Sequence, residues 1–315
     1  MTMTQIHPGQ TIGHYEVVGF LGRGAFCEVF AAEDDRGGKF ALKVGCDSGG
    51  GRYVPRFGEV TTQRDQARIS PDETPAEALF LDPIEGAQAE CLDADEVDSQ
   101  LLAEANKLRA ADGEGVVSLH EVIYTEDQRP VLVLEQLEGA TLRERIRSLE
   151  GVKLRWLVDA VRIVEHHVSS GHWCCHGDIK PENLFITNDG QVRLIDPVPQ
   201  SDHDDWMVAT PHYNPFLEHG AKGDTQAFAI MLYELLTGAL PFERVPWKFA
   251  RTSEQACSQD ERELDRAFFL GYIQAREVNP RAPRELEQLI FLSLCDDNFS
   301  LSDLRLALED FLLRT

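Results

Sequence analysis

The stretch Cys175-His176-Gly177-Asp178-Ile179-Lys180-Pro181-Glu182-Asn183-Leu184-Phe185 sets an acid, a cation and an amide within six positions, between apolar residues that can bury and fix them. Such a set suits a reaction at an anionic centre. Asp178 can accept the proton of an attacking hydroxyl, Lys180 can neutralise charge on a transferring phosphoryl group, and Asn183 offers an oxygen to a metal ion. Shortly downstream, Val192-Arg193-Leu194-Ile195-Asp196 reads as a short buried strand that ends in a carboxylate, a second metal ligand.

The chain that must position these groups has 315 residues, 43% of them apolar, which is enough for a core of one or two domains. A formal charge of −24 argues against nucleic acid and anionic membranes as partners, because both need basic patches to meet phosphates. A basic protein substrate would suit that surface. The longest apolar run, Phe228–Tyr233, is far short of a membrane span, and Met1–Gln5 lacks the features of a signal peptide. Seven scattered cysteines read as reduced thiols, so a soluble cytoplasmic chain is expected.

Upstream of the acid–cation–amide stretch, apolar residues alternate on both sides of Gly22 and Gly24, which predicts a hairpin with these glycines at its tip. Glycines there allow backbone N–H groups to approach phosphates. Lys39–Val44 is an alternating strand with Ala41 and Lys43 on one face. Residues 45–97 read as an acidic, flexible insertion, with a short helix expected from Thr74-Pro75-Ala76-Glu77. Ser99 to Gly113 has helical apolar spacing at Leu101, Ala105 and Leu108, with Ser99 as N-cap. Strands are expected at Val116–Tyr124 and Pro130–Leu134, and helices over Leu142–Ser148 and Leu154–Ser170. His166, His167, His172, Cys174, Cys175 and His176 are rich in ligand atoms, but their spacing matches no closed metal site, and no zinc centre is expected. From Asp224 to Phe242 the sequence is almost wholly apolar, a core helix closed by Gly238, and further helices are expected over about 259–276, 283–294 and 301–313.

In order and spacing these motifs resemble the eukaryotic-like serine/threonine protein kinase family over about residues 12–313, apart from the insertion. The resemblance implies an α+β, two-lobed fold, with a small antiparallel sheet lobe at 12–139 and a helical lobe at 140–315, and no further module within these residues. It implies ATP and Mg2+ as cofactors and a protein substrate. Gly22, Gly24 and Val29 match the glycine-rich loop, with Phe26 at its tip and Cys27 in place of the third glycine. Ala41 and Lys43 match the strand whose lysine holds phosphates and pairs with a helix glutamate, here Glu104, with Glu114 and Glu96 as fallbacks. Leu134 matches the gatekeeper, the backbones of Glu135 and Leu137 would face adenine, Thr141 the ribose, and Phe185 would lie beneath the base. Asp178 would be the hydroxyl-orienting base, Lys180 the phosphoryl contact, Asn183 and Asp196 the metal ligands. Thr210 would hydrogen-bond Asp178 and Lys180, and Asp224 would hold the catalytic-loop backbone. His176 would be a packed, structural histidine with Cys174 and Cys175 buried beside it.

Three departures bear on regulation. Gly177 stands where an arginine usually receives an activation-loop phosphate, so activity independent of that phosphorylation is expected. Pro197-Val198 replace Phe-Gly, with Trp206 a candidate to fill the vacated space. Phe216 replaces a docking-segment glutamate whose arginine partner is also missing from the stretch 294–303. Two alternatives stay open: a pseudokinase serving as a nucleotide-binding scaffold, and a small-molecule phosphotransferase of the aminoglycoside or choline kinase type.

Overall fold

The computed structural model describes residues 6–24, 26–46, 93–148, 151–198, 210, 212–215, 218–242 and 271–315. The helix expected from Thr74, Trp206, Phe216 and the stretch 259–270 lie outside them.

A six-stranded antiparallel sheet forms the first part, in the order β1-β2-β3-β4-β6-β5. Its strands are β1 (Thr11–Ile12), β2 (Tyr15–Arg23), β3 (Cys27–Glu33), β4 (Lys39–Gly45), β5 (Leu119–Tyr124) and β6 (Pro130–Glu135). The Tyr15 hydroxyl donates to Glu121 at 2.8 Å, joining strands that are not neighbours, so the sheet curls back on itself. Strand alternation divides β4 between two faces. Leu42 and Val44 pack with Val17, Phe30, Val131 and Val133 in a cluster of their own, while Ala41 joins the main core on the other side.

On that other side lies α1 (Ala94–Ala111). It buries Val97, Leu101, Glu104, Ala105, Leu108 and Ala111, a stripe at helical spacing. The helix starts well before the expected Ser99. Asp93 is the N-cap, in a capping box with Glu96, and Ser99 instead donates its hydroxyl to the Asp95 carbonyl inside the helix. The insertion therefore ends before Asp93 rather than at 97. Gly45 lets α1 approach β4: a Cβ there would lie 2.6 Å from Val97. Val116 pairs with Leu194 instead of opening β5, which begins three residues later than expected.

The second part is mostly helical. After the short strand β7 (Gly139–Thr141) come α2 (Leu142–Arg147), α3 (Leu154–Ser169), a 3-10 turn (Pro181–Asn183), and the strands β8 (Leu184–Thr187) and β9 (Val192–Leu194). β7, β8 and β9 form a separate three-stranded sheet. Helix α4 spans Gly220–Thr237, starting four residues before Asp224, and its residues 223–233 are all buried. Helices α5 (Ala275–Val278), α6 (Arg284–Cys295) and α7 (Leu301–Arg314) follow. Thr141 is the N-cap of α2, and its hydroxyl is engaged with Glu144.

Candidate active site

Lys43 is the point where three distant elements meet. Its ammonium donates to both oxygens of Glu104, at 2.8 and 2.6 Å, and to Asp196 Oδ1 at 2.9 Å. Lys43 and Glu104 are 4% and 3% exposed, so this charge lies inside the protein. Burial alone would lower the lysine pKa, but Asp196 and Glu104 outweigh it and hold the group protonated. Two carboxylates face one ammonium, and burial, against the pull of Lys43, raises the Glu104 carboxyl to about 7. Burial would raise the Asp196 carboxyl, yet the Lys43 ammonium beside it holds it below the usual carboxylate range. Asp196 follows β9 with φ 56, a left-handed conformation uncommon outside glycine and found at functional sites.

The second cluster is local. Asp178 Oδ2 lies 2.7 Å from Lys180 Nζ and accepts from Asn183 Nδ2 at 3.1 Å. Thr210 donates its hydroxyl to Asp178 Oδ1 at 2.8 Å and accepts from Lys180 at 2.9 Å. The 3-10 turn at Pro181–Asn183 brings Asn183 back, and its amide also donates to the Asp178 carbonyl at 2.8 Å. Below, Asp224 accepts the backbone N–H of His176 at 2.5 Å and of Gly177 at 2.9 Å. Burial pushes the Asp224 carboxyl up to about 6, against the pull of those N–H groups. Gly177 has φ 94, which glycine takes without strain, so the backbone gives a reason for glycine here. His176 is fully buried; its Nε2 faces the Ile195 carbonyl at 3.1 Å and its Nδ1 the Asp178 N–H at 3.4 Å, the pattern of a neutral ring. Burial and then the Lys107 charge push its pKa down to about 3.

Most of the remaining residues expected from sequence lie on the strands of the two sheets. Val29 pairs with Lys43 and with Gly22 across the hairpin, and Ala41 pairs with Leu134. Phe185 on β8 pairs with Thr141. Leu137 packs on the main core, and Glu135 uses its carboxylate to accept from Arg193 at 2.5 Å and from the Ser118 N–H at 3.2 Å. A Cβ on Gly22 would meet nothing within 4 Å, and one on Gly24 only the Cys27 carbonyl at 3.7 Å. The fold itself does not demand glycine at either position, and both leave open space for a ligand. The oxygen donors fit a hard cation as well. Asn183 spends its N–H groups on Asp178, which leaves its carbonyl oxygen, and Asp196 uses only Oδ1 on Lys43.

Cys27 is buried and its thiol pKa is pushed up by burial, so it fills space rather than reacting. Cys175 is buried as expected, but Cys174 is exposed, its Sγ 3.7 Å from that of Cys175. Two networks carry no motif in the sequence. Lys107 on α1 donates to the carbonyls of Cys175 at 2.7 Å, His176 at 3.1 Å and Val198 at 2.7 Å. It ties α1 to both Asp-bearing segments, and the Val198 N–H in turn donates to the His176 carbonyl at 2.9 Å. Arg143 joins Glu182 at 2.6 Å, Glu234 at 2.5 Å and the Tyr213 hydroxyl at 2.5 Å, so α2, α4 and the segment after Thr210 share one cation. Lys222 donates to the Asp296 carbonyl at 2.5 Å in the stretch that lacks an arginine.

A family model described as the protein kinase domain matches residues 88–300, more than half of the chain. The chain is 27% identical to the serine/threonine-protein kinase PrkC of Bacillus subtilis over 218 residues, covering 62% of this chain and 30% of PrkC. It is 27% identical to CBL-interacting protein kinase 21 of Oryza sativa over 258 residues, covering 75% of this chain and 40% of that protein. The chain therefore spans less than half the length of either curated relative. Among solved structures, the PknI kinase domain of Mycobacterium tuberculosis superposes with a TM-score of 0.56, at 16% identity, over 97% of this chain and 99% of that one. That likeness is one of fold. No helix among the described residues is long and apolar enough to cross a membrane.

Proposed function

Because the chain belongs to the protein kinase domain family, we propose that it is a serine/threonine protein kinase that transfers the γ-phosphoryl group of ATP to a protein hydroxyl. One observation carries the reading: the buried Lys43 ammonium joins Glu104 on α1 to Asp196 beyond β9, within 2.9 Å of each. Burying the Lys43–Glu104 pair is costly and a hydrophobic pair would fold as well, so the arrangement is best explained by chemistry.

In this reading Lys43 holds the α- and β-phosphates, Gly22, Gly24 and Val29 cover them, and Ala41, Leu137, Phe185 and the backbone of Glu135 enclose the base. Asn183 and Asp196 would hold magnesium, which would supply positive charge to the phosphates. Asp178 orients the substrate hydroxyl and takes its proton, Lys180 meets the charge on the transferred group, and Thr210 fixes both side chains. The lobes divide near Gly139, as 12–139 and 140–315. Asp178 already has three partners in Lys180, Asn183 and Thr210. Gly177 offers no side chain to receive a phosphate. Both features support activity that does not wait for activation-loop phosphorylation. The charge of −24 favours a basic protein substrate over nucleic acid or membrane. The described cysteines are free thiols, in keeping with a cytoplasmic setting.

The test is transfer of label from Mg-ATP carrying labelled γ-phosphate to a generic basic protein, using phosphatase-treated enzyme beside Asp178→Asn. Label on serine or threonine that vanishes in the variant is the expected result. Magnesium-dependent ATP binding without transfer would point to a pseudokinase instead, and transfer that needs prior phosphorylation would remove the independence.

A further inference from the structure

Behind the catalytic loop, at the end of α3, the fold assembles three histidines whose spacing in sequence matches no familiar metal motif. One ring nitrogen from each of His166, His167 and His172 lies within 4.8 Å of those of the other two. His167 Nδ1 and His172 Nδ1 are 3.2 Å apart. Two imidazole nitrogens on one tetrahedral zinc ion, each bonded at about 2.0–2.1 Å, sit about 3.3 Å from each other.

The hydrogen bonds around the trio set the lone pairs. His167 Nε2 lies 2.7 Å from the Glu114 carbonyl, which can only accept, so Nε2 carries the proton and Nδ1 is a bare lone pair turned toward His172. His166 Nε2 lies 2.8 Å from the Glu114 carboxylate, which leaves its Nδ1 as the other nitrogen. Outer contacts of this kind, a carbonyl for one ring and a carboxylate for the next, are what orients imidazoles that ligate metals. His167 is fully buried, while His166 and His172 are exposed, so an ion could enter from solvent and still find one rigid ligand. Cys174, Cys175 and His176 are not part of the group.

We propose that His166, His167 and His172 bind one zinc ion, or a neighbouring late first-row divalent ion, with the fourth position open to water. Imidazole nitrogen selects such ions over magnesium, so the site is chemically separate from the oxygen ligands Asn183 and Asp196. Its place gives it a consequence. Glu114 stands in the turn between α1 and β5, and His172 stands in the segment that leads to Trp173 and His176. A bound ion would staple the end of α3 to both, next to the carbonyls that Lys107 holds.

The experiment uses the full chain freed of metal by a chelator and titrated with Zn2+ by calorimetry, with Co2+ as an optical probe of ligand type. His167 is left intact because its substitution would disturb the core; His166→Ala, His172→Ala and Cys174→Ser are compared with wild type. The expected result is one ion per chain, affinity reduced about 100-fold in each histidine variant and unchanged in Cys174→Ser, and cobalt bands without a thiolate charge-transfer component. The melting temperature of wild type should also rise by about 5 °C with zinc at 100 times its dissociation constant, and the histidine variants should lose that shift. Binding unaffected by both histidine variants, loss of binding in Cys174→Ser, a thiolate band, or no binding at millimolar zinc would overturn the proposal.

Discussion

Two lysine–carboxylate clusters make up the candidate site, and they are built in opposite ways. Lys43 draws Glu104 from 61 residues away and Asp196 from 153 residues away, so its cluster exists only when α1 is docked on the sheet and the strand before Asp196 is in place. Lys180, Asp178 and Asn183 lie within one turn of chain, and only Thr210 arrives from a distance, 32 residues from Asp178. The ion pair of the first is sealed, with side-chain exposures of 5% and 4% for Lys43 and Glu104. That of the second is partly open, at 23% for Lys180 and 11% for Asp178. A sealed cluster made from remote pieces reports on the conformation of the whole molecule. A local, half-open one is preformed and can be adjusted without unfolding anything.

The contrast makes Lys43→Met the most damaging single change. It strips the buried Glu104 carboxyl of its cation and forces it to hold a proton, at a cost of up to about 3–5 kcal/mol of stability. It also removes the proposed phosphate contact, for a loss of about 10³-fold in transfer rate. Urea unfolding and the labelled-phosphate assay would each register their part. A variant with wild-type stability would mean that the cluster is less closed than its exposure indicates.

Next comes Lys107, which holds the remote cluster in place without belonging to it. Lys107→Met removes a cation shared by the carbonyls of Cys175, His176 and Val198. The expected cost is about 2–3 kcal/mol, since three carbonyls lose a charged donor and part of the loss is recovered by water. Hydrogen exchange should then speed up in α1 while the Asp178–Lys180–Asn183 turn stays protected. Equal loosening of both regions would erase the distinction between the clusters.

A third comparison is by pH, through His176 beneath the local cluster. Its pKa is held near 3 in the folded protein, below the ordinary 6.5, so the unfolded chain takes up a proton that the folded one refuses. Its contribution to stability is therefore complete above pH 6.5 and is lost as pH falls from there toward 3. Between pH 7 and 5 that loss is about 2 kcal/mol by linkage. Glu104, raised to about 7 by burial, and Asp224, raised to about 6, work in the other direction over the same range and offset it. His176→Gln should raise stability at pH 5 relative to pH 7 by about that 2 kcal/mol compared with wild type, in urea titrations at the two pH values.

Much of this was legible before any coordinates. Glu104 is a polar residue in an apolar helical stripe, and a stripe is read directly from spacing. Asp178, Lys180 and Asn183 are close in sequence, so local geometry decides their meeting. What failed to show were choices between equal signals and contacts across long separations. Asp93 and Ser99 are both good N-caps, and the capping box with Glu96 decided for the earlier one. Lys107 and Arg143 carry no signal in the sequence, because nothing local marks the carbonyls and carboxylates brought to them from 39 to 91 residues away. The three histidines converge across the end of a helix, where no fixed period applies.

The smallest effect tests the local cluster itself. Thr210 is its one remote member: it donates to Asp178 and accepts from Lys180, while Lys180 and Asp178 also meet directly at 2.7 Å. Thr210→Val keeps the shape, removes the hydroxyl and leaves that direct pair intact. Transfer should slow only about tenfold, the worth of one hydrogen bond of about 1.4 kcal/mol, with the KM for ATP unchanged and stability altered by under about 1 kcal/mol. Thr210→Ser should recover most of the rate, because the hydroxyl alone carries the role. A loss as deep as that of Lys43→Met would mean that Asp178 and Lys180 are not preformed, and that the local cluster, like the remote one, depends on a distant segment to exist.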